Sequence, residues 1–256
     1  MSKTLALSSL VALCVTGTEA FAAAGAVKMI NYYELLLGKD AKDWIPTAGA
    51  VLTLVVILLV GSCYKSAMAK EEAVVPDGKF SVRSIVDLLL DVVYDLGKGI
   101  LGEKHLLAHF PLLSGLFIFI LFSNLSGLVP GFLPATDSIN TNLAMGAIVF
   151  LAYNIAGARE HGMGYIKQYI GPVAFMVPLM LIIETVGHLA RPLSLSLRLY
   201  GNIFGDHLVL SVFTGLTVLV FPAVLLFFGL LVASLQSFVF TLLTSIYISM
   251  AVSHDH

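Results

Sequence analysis

The sequence predicts an all-α integral membrane protein with about three spanning helices, an amphipathic surface helix and two long C-terminal helices that form a hairpin. Three observations predict it. Hydrophobic residues make up 58% of the 256-residue chain and charged residues 12%, against about 25% charged in an average soluble domain. Mean hydropathy is +0.95. Uncharged stretches recur at about the 20-residue length that crosses a bilayer core. A chain this apolar cannot cover a water-facing surface, so lipid is its solvent for most of its length. The net charge of −2 leaves no basic stripe for nucleic acid. Cys14 and Cys63 form neither a metal spacing nor a disulfide framework.

Lys3, the apolar run Leu5–Val15 and the small residues Ala20–Gly25 follow the order of a signal peptide over residues 1–24. An uncleaved anchor is the alternative. Residues 25–45 form an external segment that ends at Trp44, an interfacial aromatic. The membrane domain is 46–256, and its first span is 46–64. Residues 65–109 then hold six Lys/Arg and seven acids. Within them Ile85, Leu88, Leu89, Val92, Val93 and Leu96 repeat at helical spacing opposite Asp87, Asp91 and Asp95, which predicts a surface helix over 80–104. The second span is 110–129. A loop with Pro130, Gly131, Pro134 and Asp137 follows, then a third span over 140–158. Two long helices, 173–216 and 222–252, hinge near Phe221-Pro222. Residues 65–109 and 158–171 hold six and two Lys/Arg, whereas the 130–139 loop holds none. By the positive-inside rule the N-terminus lies outside and the C-terminus in the cytoplasm.

Between Gly171 and Val252 only Glu184, Arg191, Arg198 and Asp206 carry formal charge. A charge at the centre of a spanning helix costs about 2.5–3.5 kcal/mol on insertion scales. Arg191, just before Pro192, is placed to snorkel to the cytoplasmic edge. Arg198, flanked by apolar and small residues, is not. Glu184, Arg191 and Arg198 are spaced seven apart. A straight helix therefore carries Glu184, His188, Arg191, Ser194, Arg198, Asn202 and, drifting round it, Asp206 on one face. His207 falls nearly opposite Arg198. Gln236 is the one strongly polar amide of the last helix, and a buried amide needs partners, so it is expected to face the stripe. Arginine keeps its charge at any working pH. It repels a passing proton and attracts a carboxylate on another chain, whereas Glu, His and Asp exchange protons.

The run from Glu184 to His207, with Pro192-Leu-Ser-Leu-Ser-Leu-Arg198-Leu-Tyr-Gly-Asn202 at its centre, resembles the signature helix of subunit a of F-type ATP synthase. Leu235-Gln236 through Ser249 resembles that family's last helix. Asn124 and Pro130, followed by Asn140-Thr-Asn-Leu-Ala, fit as well. The likeness covers about residues 30–252. It implies a stator ion-channel subunit, not itself an enzyme, whose two long helices tilt strongly and hug a ring of c subunits. It implies two offset proton half-channels, with Arg198 facing the c-subunit carboxylate and preventing a short circuit. Glu184 matches the family's cytoplasmic-side acid. Ser194 and Asn202 match polar residues flanking the arginine, and Gln236 matches the glutamine across from it. His207 stands where other members carry Glu or His, and Gly229 where some place a partner His. Which of Asp206 and His207 serves the outer half-channel is thus left open. Asn124 and Arg191 are further channel candidates.

The implied partners are the c ring, the peripheral-stalk b subunits, the rest of the complex and lipid. The implied location is the bacterial inner membrane, multi-pass. No metal or cofactor is implied, and no Gly-Lys-Ser/Thr loop for nucleotide is present. The ion is H⁺, with Na⁺ open, and the 80–104 helix either docks the stalk or lies on lipid. A secondary transporter would predict inverted repeats, which the sequence lacks. An intramembrane hydrolase would need a nucleophile with a positioned base, and Ser126 has no such setting.

Overall fold

Lipid offers backbone N–H and C=O groups no partner, so a chain this apolar must satisfy them within helices. The computed structural model describes residues 32–33, 44–68, 81–129, 131–162, 177–216 and 220–253. Among these residues the regular elements are helices α1 (Ile45–Met68), α2 (Val82–Gly127), α3 (Ile139–His161), α4 (Val177–Leu216) and α5 (Val220–Val252), with a 3-10 turn at Ala135–Asp137. The expected signal segment, nearly all of 25–45, and the start of the 173–216 helix lie outside the described residues. Among the described residues four helical stretches are long and apolar enough to cross a membrane: Ile45–Ser66, Val82–Gly127, Ile139–His161 and Ala223–Val252. The chain is an all-α integral membrane protein. At 40 residues, α4 is about 60 Å long, twice the bilayer core of about 30 Å. It cannot stand upright within that thickness.

Residues 105–109, between the expected surface helix and second span, are helical. The break falls earlier, at Gly102, whose φ of 71° and ψ of 165° are open in practice only to glycine. Two contacts bridge the break. Lys98 pairs with Glu103 across it, and Leu106 folds back onto Gly97, where any Cβ would collide with it. A break in the helix leaves nearby carbonyls without their usual donors, and Ser249 of α5 donates to the Ile100 carbonyl at 3.2 Å. The predicted apolar stripe divides: Val93 is buried, while Ile85, Leu88 and Val92 are exposed. Tyr64 at the end of α1 donates to Asp87 at 2.8 Å, and Arg83 flanks the same carboxylate.

The core lies where α2, α3, α4 and α5 meet. Leu106, Leu113 and Ile120 recur at seven-residue spacing on α2 and are fully buried. Val149 and Tyr153 come from α3, Leu195 and Leu199 from α4, and Phe240 and Ile248 from α5. The α5 face is small and hydroxylic: Ser237, Thr241, Thr244 and Ser245 are buried. All four hydroxyls return to carbonyls three or four residues back, at 2.8–3.0 Å. Small residues at such crossings let helices approach closely without an apolar driving force.

A close approach joins α3 to α4 at Gly146. A Cβ there would run into Ser196 Oγ and lie 2.8 Å from the Pro192 carbonyl oxygen. Ser196 itself donates across the crossing to the Asn142 carbonyl at 2.9 Å. Gly146→Leu is therefore expected to force α3 from α4 and cost about 1–3 kcal/mol. The readout is the thermal midpoint of the detergent-solubilised complex, and an unchanged midpoint would mean the crossing is looser than drawn.

Candidate functional site

Each end of α4 brings titratable side chains against a different neighbour. Toward its start, His188 is 8% exposed. Its Nε2 lies 3.2 Å from Glu184 Oε1, and its Nδ1 lies 3.3 Å from the Tyr153 hydroxyl of α3. The guanidinium of Arg191 sits 5.9 Å from the Tyr153 ring and 5.5 Å from the Tyr247 ring of α5, within cation–π range. Toward its end, Asp206 and His207 line a cavity of about 100 Å³ together with Asn124 of α2 and Gly229 of α5. That is room for a short file of water. Its lining is polar at Asn124, which is 2% exposed and whose Nδ2 is buried with no hydrogen-bond partner among the described residues.

Asn124 is held from behind. Its Oδ1 accepts from the Thr136 hydroxyl at 2.8 Å, and the Thr136 backbone N–H donates to Ser123 Oγ at 3.3 Å. Asn142 Nδ2 donates to the Thr136 carbonyl at 2.8 Å. Thus α2 and α3 clamp the 3-10 turn that carries Asp137. Burial raises the Asp137 carboxyl above its usual value near 3.8, and the nearby His207 opposes that only in part.

Arg198 lies between the two ends. It is exposed, with no ion-pair or hydrogen-bond partner among the described residues. Exposed Leu193, Ser194, Leu197 and Gly201 surround it in sequence. One turn on, Asn202 Nδ2 donates to Gln236 Oε1 at 2.6 Å.

The single polar face expected from a straight helix does not form. His188 and Arg191 turn inward to α3 and α5, Ser194 and Arg198 turn outward, and Asp206 and His207 border the cavity. Two physical reasons account for this. A seven-residue stripe drifts by about 20° per repeat, and a helix this long changes neighbours along its length. Gln236 does meet the polar side of α4, at Asn202. Tyr153, Tyr247 and Asp137 were not singled out from sequence, although Asp137 was visible in its loop. Ser126 donates to the Ser123 carbonyl at 2.7 Å, which commits its hydroxyl to its own helix.

This arrangement is that of a polytopic membrane protein with titratable groups on both sides of an outward-facing arginine. Residues 49–249 match the family described as ATP synthase A chain. The chain is 43% identical over 201 residues to ATP synthase subunit a of Bdellovibrio bacteriovorus, covering 77% of this chain and 86% of that one. It is 44% identical over 204 residues to ATP synthase subunit a 2 of Syntrophotalea carbinolica, covering 79% and 84%. It is 41% identical to the subunit a of Citrifermentans bemidjiense over 78% and 86%. The chain belongs to the ATP synthase A chain family.

A carboxyl raised by folding costs stability as pH climbs past its unfolded value, about 3.9 for Asp, and the cost stops growing above the folded value. Asp137→Asn should therefore match wild type below about pH 4 and melt at a higher temperature than wild type toward neutral pH. Thermal midpoints across that range check this; a gain that does not grow with pH would place the carboxyl in water.

Proposed function

We propose that this chain is the stationary ion-conducting subunit of an F-type ATP synthase in the bacterial inner membrane. It couples proton flow to rotation of a c ring, with peripheral-stalk b subunits and the remaining complex as further partners. One observation carries the reading: Arg198 is an exposed guanidinium, without a partner among the described residues, on an otherwise apolar and small-residue face. Such a charge costs about 2.5–3.5 kcal/mol in lipid, and a carboxylate presented by another chain offsets that cost.

The proposed path uses three zones along α4. Asp206, His207 and Asn124 form the outer access, where a water file brings a proton to a ring carboxylate. Arg198 is about 12 Å along the helix from Asp206. A carboxylate arriving beside it has its pKa lowered by about 1–3 units and gives up its proton. Glu184 and His188, about 15–21 Å beyond Arg198, form the cytoplasmic exit, with Arg191 at its edge. Asn202 and Gln236 brace the helix beside Arg198. Because guanidinium does not deprotonate in proteins, Arg198 cannot hand a proton between the two zones and so blocks a direct leak. The N-terminus is external in this arrangement and the C-terminus cytoplasmic.

Arg198→Ala should abolish ATP-driven proton pumping in inverted membrane vesicles while the complex still assembles, and raise passive proton leak once the catalytic head is stripped. Pumping at the wild-type rate would sink the proposal. At the outer access, Asp206→Asn and His207→Ala should each slow pumping, and the double variant should slow it by at least about a hundredfold. A double variant that pumps normally would remove the cavity from the path.

A further inference from the structure

Pro192 stands four residues after His188 inside α4. It has no N–H, so the His188 carbonyl lacks its ordinary helical donor. Tyr153 of α3 supplies one: its hydroxyl donates to the His188 carbonyl oxygen at 3.3 Å. The same hydroxyl lies 3.3 Å from His188 Nδ1. A hydroxyl carries one proton. With that proton on a carbonyl, which only accepts, the ring contact requires Nδ1–H as donor and the phenol oxygen as acceptor. The neutral ring then has its lone pair on Nε2, and Nε2 faces Glu184 Oε1 at 3.2 Å. A carboxylate and a bare imidazole nitrogen are both acceptors, so one shared proton closes the contact.

We propose that Tyr153 is a positioning residue for the proton path: it holds His188 in the Nδ1–H form, so that the Glu184–His188 pair takes up and releases a single proton between Oε1 and Nε2. This rests on the reading of Glu184 and His188 as the cytoplasmic exit. Beside the pair lie Tyr153 from α3 and Arg191 on the same helix, whose guanidinium is stacked between the Tyr153 ring and the Tyr247 ring of α5. The Arg191 charge opposes a second proton. Two facing acceptors oppose loss of the first. The Tyr153 side chain is fully buried, so bulk water does not compete for its hydroxyl. The side chain of Glu184 is 34% exposed and that of His188 10%, which makes Glu184 the open end of the pair.

Tyr153→Phe keeps the ring beside Arg191 and removes the hydroxyl. The imidazole then carries its proton on Nε2 and donates it to ionised Glu184, which stabilises the pair without a shared proton and lowers its proton affinity. In complete ATP synthase in inverted vesicles, the alkaline limb of ATP-driven pumping should move to lower pH by roughly 0.5–1 unit, the worth of one hydrogen bond. In a His188→Gln background Tyr153→Phe should move it no further. An assembled Tyr153→Phe complex with the wild-type profile would overturn the proposal, as would an equal shift without His188. Nitrogen NMR on the wild-type complex with labelled histidine provides a test that needs no variant. Neutral His188 should be protonated at Nδ1, and a neutral ring protonated at Nε2 would overturn the assignment. The Arg198→Ala pumping assay bears on the broader reading alone, so its failure is distinguishable from a failure here.

Discussion

Everything in this chain is subordinate to one constraint: a polar group within lipid must find its partner inside the protein. Helices settle the backbone. Hydroxyls settle themselves, as when Thr53 donates to the Gly49 carbonyl at 2.9 Å and Thr244 to Phe240 at 2.8 Å. At two interruptions of the helical ladder a hydroxyl from another helix supplies a donor. Gly102 breaks α2, and Ser249 bonds the Ile100 carbonyl. Pro192 removes a donor from α4, and Tyr153 bonds the His188 carbonyl. The same hydroxyls thus tie α5 to α2 and α3 to α4, so local repair and tertiary packing are one set of contacts.

Against that background three donors stand out. Among the described residues Arg198 has no partner, and Asn124 Nδ2 and Gln236 Nε2 are buried without one, as is the acceptor Asn142 Oδ1. The three donors lie along α4 or face it. Asn124 opens on the cavity shared with Asp206 and His207, and Gln236 is bonded to Asn202, one turn from Arg198. These donors are left available to water or to another chain. The rigid clamp of Ser123, Thr136 and Asn142 behind Asn124 keeps that donor aimed as it is.

Much of the fold was legible in the sequence because its driving force is composition. Uncharged runs of bilayer length mark the helices without reference to their neighbours, and isolated charges mark α4. What was not legible depends on how helices cross. The Gly102 break has no periodic signature, since apolar spacing continues through it. A straight-helix wheel put His188 and Arg198 on one face, yet one is buried against Tyr153 and the other exposed. The offset of four between His188 and Pro192 did announce a carbonyl without a donor; only the α3–α4 crossing identifies Tyr153 as the donor that meets it.

The exposure of Arg198 is itself a consequence of packing. Leu195, Ser196 and Leu199 on the same turns are 1%, 0% and 0% exposed, and Ser196 is bonded across to Asn142. Gly146 allows that approach. Rolling α4 to bury the guanidinium would withdraw two leucines from the core and break the Ser196 bond. Leucine turned toward lipid loses no burial from water, so the cost lies in the lost close packing, in the Ser196 hydrogen bond and in a guanidinium buried with no counter-charge among the described residues. The core therefore holds Arg198 outward. In the proposed mechanism that is where it must stay, because a guanidinium free to retreat from its partner carboxylate would be neither a barrier nor a docking point.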